Sequence, residues 1–337
     1  MNRRIYLSVD GGGSKLVMLL FDEDFRVLGE GRSGGVNLNS TTLEDAEANI
    51  TQCLDQVFGD AAPSVIDKLY YVFVGRAPLL INALERVCRV RETFHMSEPV
   101  AGLLAGALWR GGILALSGTG SDVFYIEDES SPPLLPQINR EAQILKVVGG
   151  WGPILGDDGS GAWIGQRAIR AAIAGLEGWA EPTDILRLIK SEWHLKKDWD
   201  MVDIVYRSPF PYRLLGSLTK IVAKAARGND NVAQDILREA GKLMATQTIC
   251  LINRCAIKPA DFRLVCAGGA WKAHSLMYET FAADLNESFP DLPVRKPCFE
   301  PVMAGPVQEI LDSADTDGTE SAEERLKELF PAYVIQI

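Results

Sequence analysis

Short apolar segments that run directly into clusters of glycine are the feature that most constrains the fold of this chain. Residues 5–9 form such a segment, which ends at Asp10 and is followed by three glycines in a row. A second apolar segment, 16–21, follows at once, and 27–31 predicts a third strand. Because glycine permits tight turns and close approach to the backbone, the pattern predicts a strand, a bare turn and a returning strand.

The same pattern occurs twice more along the chain. Residues 112–117 run into Gly118-Thr119-Gly120-Ser121 and a new strand at 123–126, and the apolar segment 262–266 leads to Gly268-Gly269. Two similar strand–turn–strand units predict two domains with related cores. We expect an N-terminal domain at 1–111 and a C-terminal domain at 112–337 with helical additions. The last helix, at about 320–337, could pack back on the N-terminal domain.

Helical spacing of apolar residues alternates with the strands in the first half and dominates the second half. A continuous apolar run predicts a further strand at 69–74. The helical spacing predicts helices at 42–58, 78–87, 99–108, 159–176, 184–193, 214–226, 231–255, 272–289 and 322–330. Residues 130–137 and 312–320 are expected to be surface loops. Strands that alternate with helices are typical of an α/β fold.

The charge balance excludes several classes of partner. The 337 residues include 45 acidic and 34 basic side chains, a net charge of −11, whereas nucleic-acid binders are usually basic. A phosphate ligand would therefore be bound by backbone N–H groups and a metal. No apolar run is long enough to cross a bilayer or to act as a signal-peptide core, so we expect a cytoplasmic protein without membrane or nucleic-acid partners.

The first glycine turn, Asp10-Gly11-Gly12-Gly13-Ser14-Lys15, combines groups that suit a metal–phosphate ligand. Bare backbone N–H groups and a hydroxyl can bind phosphate oxygens, and a neighbouring carboxylate can hold Mg²⁺. The turn is not a Walker A loop, since a strand and not a helix follows it. An ordinary hairpin turn is the alternative.

The turns at 117–121 and 266–270 are each weak signals when taken alone. Both follow a buried strand, and the first adds hydroxyls that could hold further phosphates. The second suits close packing against a purine or ribose. Each could be a plain turn, but the three turns together favour a nucleotide site.

The most distinctive stretch is residues 149–165, which holds two tryptophans among seven glycines. Asp157, Asp158 and Ser160 lie where a helix should begin, so one of the carboxylates could simply be a helix cap. A glycine-rich loop with paired carboxylates also suits a polyhydroxylated ligand. A purely structural role for the block is the alternative.

The order of these motifs, with Pro301-Val302-Met303-Ala304-Gly305 near the end, resembles the BadF/BadG/BcrA/BcrD-type ATPase family. The resemblance covers about residues 4–310, and within the family it is greatest to the N-acetylglucosamine kinases of the actin-like sugar kinase superfamily. It implies a two-domain actin-like ATPase fold, of the ribonuclease H-like type, with the nucleotide in the interdomain cleft. It also implies ATP and Mg²⁺ as cofactors, a sugar substrate, a role in carbohydrate metabolism and a homodimer.

Residue roles follow from the resemblance by motif position. Asp10 would hold the metal, and the cofactor-binding residues would be Gly12, Gly13, Ser14, Lys15, Thr119, Gly120, Ser121, Gly268 and Gly269. The sugar would be bound by Asn37, Glu98, Gly156 and Asp157, of which Glu98 and Asp157 would be catalytic. Asn37 could instead be only a turn residue, since Asn39 follows two positions later.

The chain departs from the family pattern at the expected catalytic base. Such kinases usually carry Asn-Asp-Ala before the second phosphate turn, and this chain has Ser97-Glu98-Pro99. Glutamate is one methylene longer than aspartate, and Pro99 is expected to keep Glu98 out of helical conformation. Two roles of Glu98 stay open: it could be the catalytic base, or it could be only a capping or surface carboxylate. Leu16 also replaces the usual threonine after the lysine, a milder change.

The predicted function is ATP-dependent phosphorylation of N-acetylglucosamine or a related amino sugar or hexose. One alternative is a nucleotide- or sugar-binding regulator with weakened catalysis, which the change at Glu98 favours. Another is an activator-type ATPase of the same family, which shares an iron–sulfur cluster between two subunits. That type needs a cysteine near the second phosphate turn, and no cysteine lies between Cys88 and Cys250.

Overall fold

The computed structural model describes residues 3–59, 62–127, 146–259, 262–313 and 319–335. The described residues form two compact units. Unit 1 is drawn from Met1–Gly111, Ile126–Ile138 and Lys296–Ile337, and unit 2 from Gly112–Tyr125 and Asn139–Arg295. The loop expected at 130–137 lies outside the described residues. The domain boundaries at 1–111 and 112–337 stay a prediction.

The sheet of unit 1 has five strands in the order β3-β2-β1-β4-β5. They are β1 (Ile5–Gly11), β2 (Lys15–Asp22), β3 (Val27–Gly34), β4 (Val65–Phe73) and β5 (Arg89–His95). The first three are antiparallel neighbours, while β1, β4 and β5 run parallel. The carboxyl ends of β1, β4 and β5 therefore meet at one edge of the sheet, which is where open α/β sheets usually bind ligands.

The sheet of unit 2 repeats this order as β8-β7-β6-β9-β10. Its strands are β6 (Gly112–Ser117), β7 (Ser121–Ile126), β8 (Val147–Gly149), β9 (Leu264–Ala267) and β10 (Val294–Arg295). As in unit 1, the central strand β6 runs parallel to β9, and β9 runs parallel to β10. The second glycine turn thus joins the two strands that correspond to β1 and β2.

Twelve α-helices are described between and after the strands. They are α1 (Leu43–Phe58), α2 (Ala77–Glu85), α3 (Glu98–Ala107), α4 (Gly161–Glu177), α5 (Asp184–Glu192), α6 (Asp200–Tyr206), α7 (Pro211–Ser217), α8 (Thr219–Arg227), α9 (Asn231–Cys255), α10 (Ser275–Ser288), α11 (Ala304–Asp312) and α12 (Thr319–Leu329). Among them there is no helix of the length and apolarity that a membrane span requires.

Alternation along β1 sends its side chains to two different cores of unit 1. Leu7 and Val9 pack with residues of α1, whereas Tyr6 packs with residues of α3 and α11. The C-terminal helices therefore complete one face of the sheet in unit 1. Unit 2 has its own core, in which the long helix α9 contributes residues from Ala233 to Ile252.

Some elements differ from the sequence expectations. The helix expected at 214–226 is two helices, α7 and α8, and the strand β5 was not expected. The loop expected at 312–320 is shorter, because Asp312 ends α11 and Thr319 begins α12; residues 314–318 lie outside the described part.

Candidate functional site

A hydrogen bond within the first glycine turn closes it, and two of its backbone N–H groups stay free. The N–H of Gly12 donates to the carbonyl of Lys15 at 3.0 Å, and the carbonyl of Gly12 accepts the N–H of Val36 at 2.9 Å. The N–H groups of Gly13 and Ser14 have no acceptor among the described residues. Adjacent free N–H groups in a bare turn can bind an anion.

Three glycines of the described residues combine open space at the position of a side chain with a φ outside the positive range. A Cβ added to Gly12, Gly118 or Gly269 would meet no atom within 4 Å. By contrast, a Cβ on Gly35 would lie 2.2 Å from the carbonyl oxygen of Gly13, so that glycine is required by packing. The open glycines lie one in each of the three predicted nucleotide turns. Neither a positive φ nor close packing requires glycine at these positions, and the open space leaves room for a ligand to approach the backbone.

Asp10 ends the apolar part of β1 and is paired with Lys15 across the turn. Lys15 Nζ lies 3.5 Å from Asp10 Oδ2, and the Asp10 side chain is 14% exposed. Burial raises the pKa of Asp10, while the ammonium of Lys15 opposes the rise. The carboxylate is thus held at the sheet edge with a single cationic neighbour at ion-pair distance.

Glu98 is the first residue of α3, just beyond the carboxyl end of β5. Glu98 is exposed as a residue, while its carboxyl group is partly desolvated by the protein atoms around it. This desolvation, with a further contribution from the charge of Asp10, raises the pKa of Glu98 to about 7. The two carboxylates are therefore neighbours at the same sheet edge.

The expectation that Pro99 would keep Glu98 out of the helix is wrong. Proline is tolerated in the first helical turn because the N–H that it lacks would have no partner there, and Ser97 takes the extended conformation instead. Ser97 makes no capping hydrogen bond, and its Oγ is buried without a partner among the described residues. Glu98 thus belongs to a rigid helix start, next to an unsatisfied hydroxyl.

Asn37 lies against the first turn and has the hydrogen bonds of a turn residue. Its N–H donates to the carbonyl of Gly12 at 3.3 Å, and its Oδ1 accepts the N–H of Asn39 at 2.9 Å, which is an Asx-turn. The Nδ2 amide has no acceptor among the described residues. Asn37 shapes the turn and still has a donor for a ligand.

The second turn is packed on the start of α4 in unit 2. The carbonyls of Gly118 and Thr119 accept the N–H groups of Gly161 and Ala162, at 2.8 and 3.1 Å. These N–H groups belong to the first helical turn, which has no intrahelical partner for them. The turn and the helix start are therefore one rigid assembly.

The third turn packs directly on the second. The N–H of Ala270 donates to the carbonyl of Ser117 at 3.0 Å, and a Cβ on Gly268 would lie 2.2 Å from that oxygen. Gly268 also has a φ of +110°, a conformation that L side chains rarely adopt. Gly268 is thus a structural glycine, while its neighbour Gly269 is open.

Asp157 joins the tryptophan-rich loop to the second turn. Its Oδ1 accepts the N–H of Gly152 at 3.0 Å, and a Cβ on Gly120 would lie 2.7 Å from its Oδ2. Burial raises the pKa of Asp157, although the hydrogen bond from Gly152 opposes the rise. The residue is 7% exposed and has a φ of +57°.

The helix cap in this block is Ser160 and not a carboxylate. Ser160 Oγ accepts the N–H of Trp163 at 3.1 Å. Asp157 is therefore not explained as a cap. Gly156 packs against Trp151, since its Cβ would lie 3.1 Å from that of the tryptophan, while the Trp151 side chain itself is exposed.

Sequence reasoning missed two charged residues of the unit 1 site. Glu300 accepts hydrogen bonds from Lys15 at 3.2 Å and from both terminal nitrogens of Arg32 at 2.9 and 3.1 Å. The only sequence signal for Glu300 is its position directly before the Pro301–Gly305 motif. Arg32 lies in β3, where nothing in the sequence marks it.

Within unit 1 the predicted residues Asp10, Gly12, Gly13, Ser14, Lys15, Asn37 and Glu98 come together. Within unit 2 the predicted residues Thr119, Gly120, Ser121, Gly156, Asp157, Gly268 and Gly269 lie on the packed second and third turns and the adjoining loop. Their roles in binding and catalysis stay predictions.

The residues around Asp10 that the structure describes form no ready cage for a metal ion. The described residues contain no group of three or more histidine, cysteine, aspartate or glutamate side chains that could hold an ion. Mg²⁺ in phosphoryl-transfer sites usually takes one or two carboxylates and fills its other positions with phosphates and water. Asp10 fits that demand.

A sequence model of the BadF/BadG/BcrA/BcrD ATPase family matches residues 7–302, nearly the whole chain. The chain belongs to this family. The family predicted from the motifs is therefore confirmed.

Two curated relatives of this chain are sugar kinases. The chain is 27% identical over 300 residues to the N-acetylmuramic acid/N-acetylglucosamine kinase of Clostridium acetobutylicum, with 86% of this chain and 92% of that protein covered. It is 22% identical over 309 residues to the N-acetyl-D-glucosamine kinase of Dictyostelium discoideum, covering 90% and 97%. These relatives transfer phosphate to a sugar hydroxyl.

Solved structures show the same fold. A candidate N-acetylglucosamine kinase from Porphyromonas gingivalis superimposes with a TM-score of 0.67 at 21% identity, over 91% of this chain and 98% of that one. A ROK family glucokinase from Streptomyces griseus gives a TM-score of 0.53 at 16% identity, over 90% and 97%. The predicted actin-like sugar kinase fold is confirmed.

Proposed function

We propose that this protein is an ATP-dependent sugar kinase that phosphorylates a hydroxyl of N-acetylglucosamine or a related amino sugar. The observation that carries the proposal is the pair Asp10 and Glu98 at the sheet edge that also bears the first glycine turn. A phosphoryl-transfer site needs a carboxylate for the metal and a base for the acceptor hydroxyl, and these two residues supply both. The kinases among the relatives support the choice of sugar.

The nucleotide is bound by the glycine turns in this proposal. The free N–H groups of Gly13 and Ser14 and the ammonium of Lys15 face phosphate oxygens, and the open turn at Gly118 binds others together with Thr119, Gly120 and Ser121. Gly268 and Gly269 lie against the adenosine. Backbone donors explain how a chain with a net charge of −11 can bind a polyanion. Mg²⁺ held by Asp10 would neutralise phosphate charge.

Glu98 acts on the acceptor. Its ionised carboxylate accepts the proton of the sugar hydroxyl as the oxygen of that hydroxyl bonds to the γ-phosphorus and the bond to ADP breaks. A base with a pKa of about 7 is well matched to neutral pH. Asn37 donates its free amide to a sugar oxygen, and Asp157 with the neighbouring Gly156 contacts the sugar from the tryptophan-rich loop. A cytoplasmic location and a homodimer belong to the same proposal.

Transfer of labelled phosphate tests the proposal. Purified protein is incubated with γ-labelled ATP and Mg²⁺ and, separately, with N-acetylglucosamine, N-acetylmuramic acid, glucosamine and glucose. We expect label in at least one N-acetylated sugar. Binding of nucleotide and sugar without transfer to any of them would overturn the kinase in favour of a ligand-binding regulator.

A further inference from the structure

The ammonium of Lys15 is shared between two carboxylates of unit 1. Nζ lies 3.5 Å from Asp10 Oδ2 and 3.2 Å from Glu300 Oε2. Asp10 ends the buried part of β1, while Glu300 comes from the C-terminal part of the chain. One cation at the end of the phosphate turn thus has two alternative anionic partners.

In the contact between Lys15 and Glu300, the Glu300 side chain is the more firmly held. Arg32 donates to both of its carboxylate oxygens, at 2.9 and 3.1 Å, and the Arg32 guanidinium lies 5.6 Å from the ring centre of Tyr333. The N–H of Glu300 donates to the carbonyl of Tyr333 at 3.0 Å. A bidentate pair of this kind fixes the carboxylate in position.

The segment around Glu300 is also fixed to the strands. Phe299 forms a bridge with Val334, and Ser8 Oγ donates to the carbonyl of Val302 at 2.6 Å. Lys15, in contrast, is 46% exposed and has a flexible four-carbon stem. If one partner of the contact moves, it is Lys15.

The charges of Asp10, Lys15 and Glu300 favour different pairings without and with a metal ion. Without a metal, Lys15 offsets the charge of Asp10. A divalent cation on Asp10 would repel the ammonium, which then needs another anion close by. Glu300 is that anion, because Lys15 Nζ already lies 3.2 Å from Glu300 Oε2 and can keep this contact when it leaves Asp10.

We propose that Glu300 is a positioning residue that receives the Lys15 ammonium, so that Asp10 can exchange its ion pair with Lys15 for Mg²⁺. The inference rests on the proposed function, in which Asp10 holds the metal. It assigns a role to a residue that touches neither substrate nor metal and acts through Lys15.

The test is the coupling between Mg²⁺ and nucleotide binding. Calorimetry with a non-hydrolysable ATP analogue gives Kd with Mg²⁺ and with EDTA, and the ratio of the two is the factor by which Mg²⁺ tightens binding. We expect Glu300→Gln to lower this ratio about fivefold, the scale of one partly buried ion pair, because Lys15 then competes with Mg²⁺ for Asp10. Binding in EDTA should not weaken, since a negative charge near the phosphates is removed.

Two further variants separate this role from a merely structural one. In a Lys15→Met background, Glu300→Gln should leave the ratio unchanged, because Glu300 acts through Lys15. Glu309→Gln is the matched control: Glu309 is also a partly buried partner of a lysine, Lys68, at 2.6 Å, and its loss should affect thermal stability but not the ratio.

The outcomes distinguish this inference from the proposed function. A wild-type ratio in Glu300→Gln, or an equal fall in both backgrounds, would overturn the role of Glu300 while leaving the kinase in place. Failure of the wild-type protein to bind the nucleotide at all would overturn both. Glu300→Asp, which keeps the charge, is expected to recover part of the coupling.

Discussion

Asp10 lies close enough to Glu98 for its negative charge to add to the larger effect of burial in raising the pKa of Glu98 to about 7. Asp10 lies near the carboxyl end of β1 and Glu98 follows the end of β5, and these two parallel strands are separated only by β4. The carboxylate that is proposed to hold the metal therefore also tunes the carboxylate that is proposed to act as the base.

Removal of the ionisable group from Glu98 should abolish most of the transfer. Glu98→Gln keeps the shape and hydrogen-bonding reach of the side chain but cannot accept the proton, so kcat should fall about 10²- to 10⁴-fold with the sugar KM little changed. Steady-state kinetics measure both. Glu92→Gln, the same change at an exposed position in β5, is the control and should behave as wild type. A Glu98→Gln enzyme with wild-type kcat would contradict the role of base.

The pH profile of the wild-type enzyme should report the ionisation of Glu98. A base must be deprotonated, so kcat/KM should rise with pH and level off. The midpoint should lie at or below the pKa of about 7, because Mg²⁺ on Asp10 would offset the negative charge that adds to the effect of burial. Well below the midpoint the rate should fall about tenfold per pH unit. Rates measured from pH 4.5 to 8.5 at saturating Mg²⁺ test this, and a flat profile through that range would exclude Glu98 as the titrating base.

The raised pKa of Glu98 means that its ionisation lowers the free energy of unfolding at neutral pH. Its folded pKa lies above the ordinary 4.5, so between these values the folded protein keeps a proton that the unfolded chain releases. The stability contributed by this group is therefore lost as pH rises from 4.5 through 7. Glu98→Gln cannot ionise, and its melting temperature should exceed that of wild type at pH 8, with the difference shrinking toward pH 4.5. A difference independent of pH would show that ionisation plays no part.

The central strands could be predicted from sequence because they are apolar throughout. β1, β2 and β6 are buried along most of their length, and β1 and β6 run into glycine turns. β5 was missed because it is an edge strand in which most residues are exposed and three are charged, so it has no apolar run. β8 and β10, also at sheet edges, have only three and two residues and carry no periodic signal.

The site residues that are contiguous in the sequence could be predicted, whereas those that only folding brings together could not. The turn from Asp10 to Lys15 is contiguous, and its bare glycines are visible in the sequence. Glu300 reaches Lys15 only because residues 298–302 pair with the C-terminal segment and with Ser8. The raised pKa of Glu98 likewise depends on folding, which buries its carboxyl group and brings the charge of Asp10, from a separate motif, close enough to add to the shift.

Alanine at the open glycines should weaken nucleotide binding without loss of stability. A methyl group at Gly12, Gly118 or Gly269 meets no protein atom, and Gly→Ala at a compatible position stabilises a fold by about 0.4–1 kcal/mol. A phosphate or base that approaches the backbone would collide with it, at a cost of about 1–3 kcal/mol in binding. Calorimetry and thermal unfolding on each variant measure the two effects.

Gly178→Ala is the control with the opposite expected pattern. Gly178 has open space too, but its φ is +80°, and it ends α4. Alanine there should lower the melting temperature and leave nucleotide binding unchanged. Unchanged binding in all three open-glycine variants would mean that these turns do not contact the nucleotide.

Asp157→Asn should separate a contact with the sugar from a purely structural role. Asparagine tolerates the left-handed conformation at φ +57°, and its Oδ1 can still accept the N–H of Gly152. Burial disfavours the charge of Asp157, so its removal should leave the melting temperature unchanged or higher. If the carboxylate contacts sugar hydroxyls, the sugar KM should rise about tenfold while the nucleotide Kd stays the same, because hydrogen bonds to a charged acceptor are stronger than those to an amide. A weakened nucleotide with an unchanged sugar KM would instead mean that Asp157 serves only to hold the turn at Gly120, against which it packs.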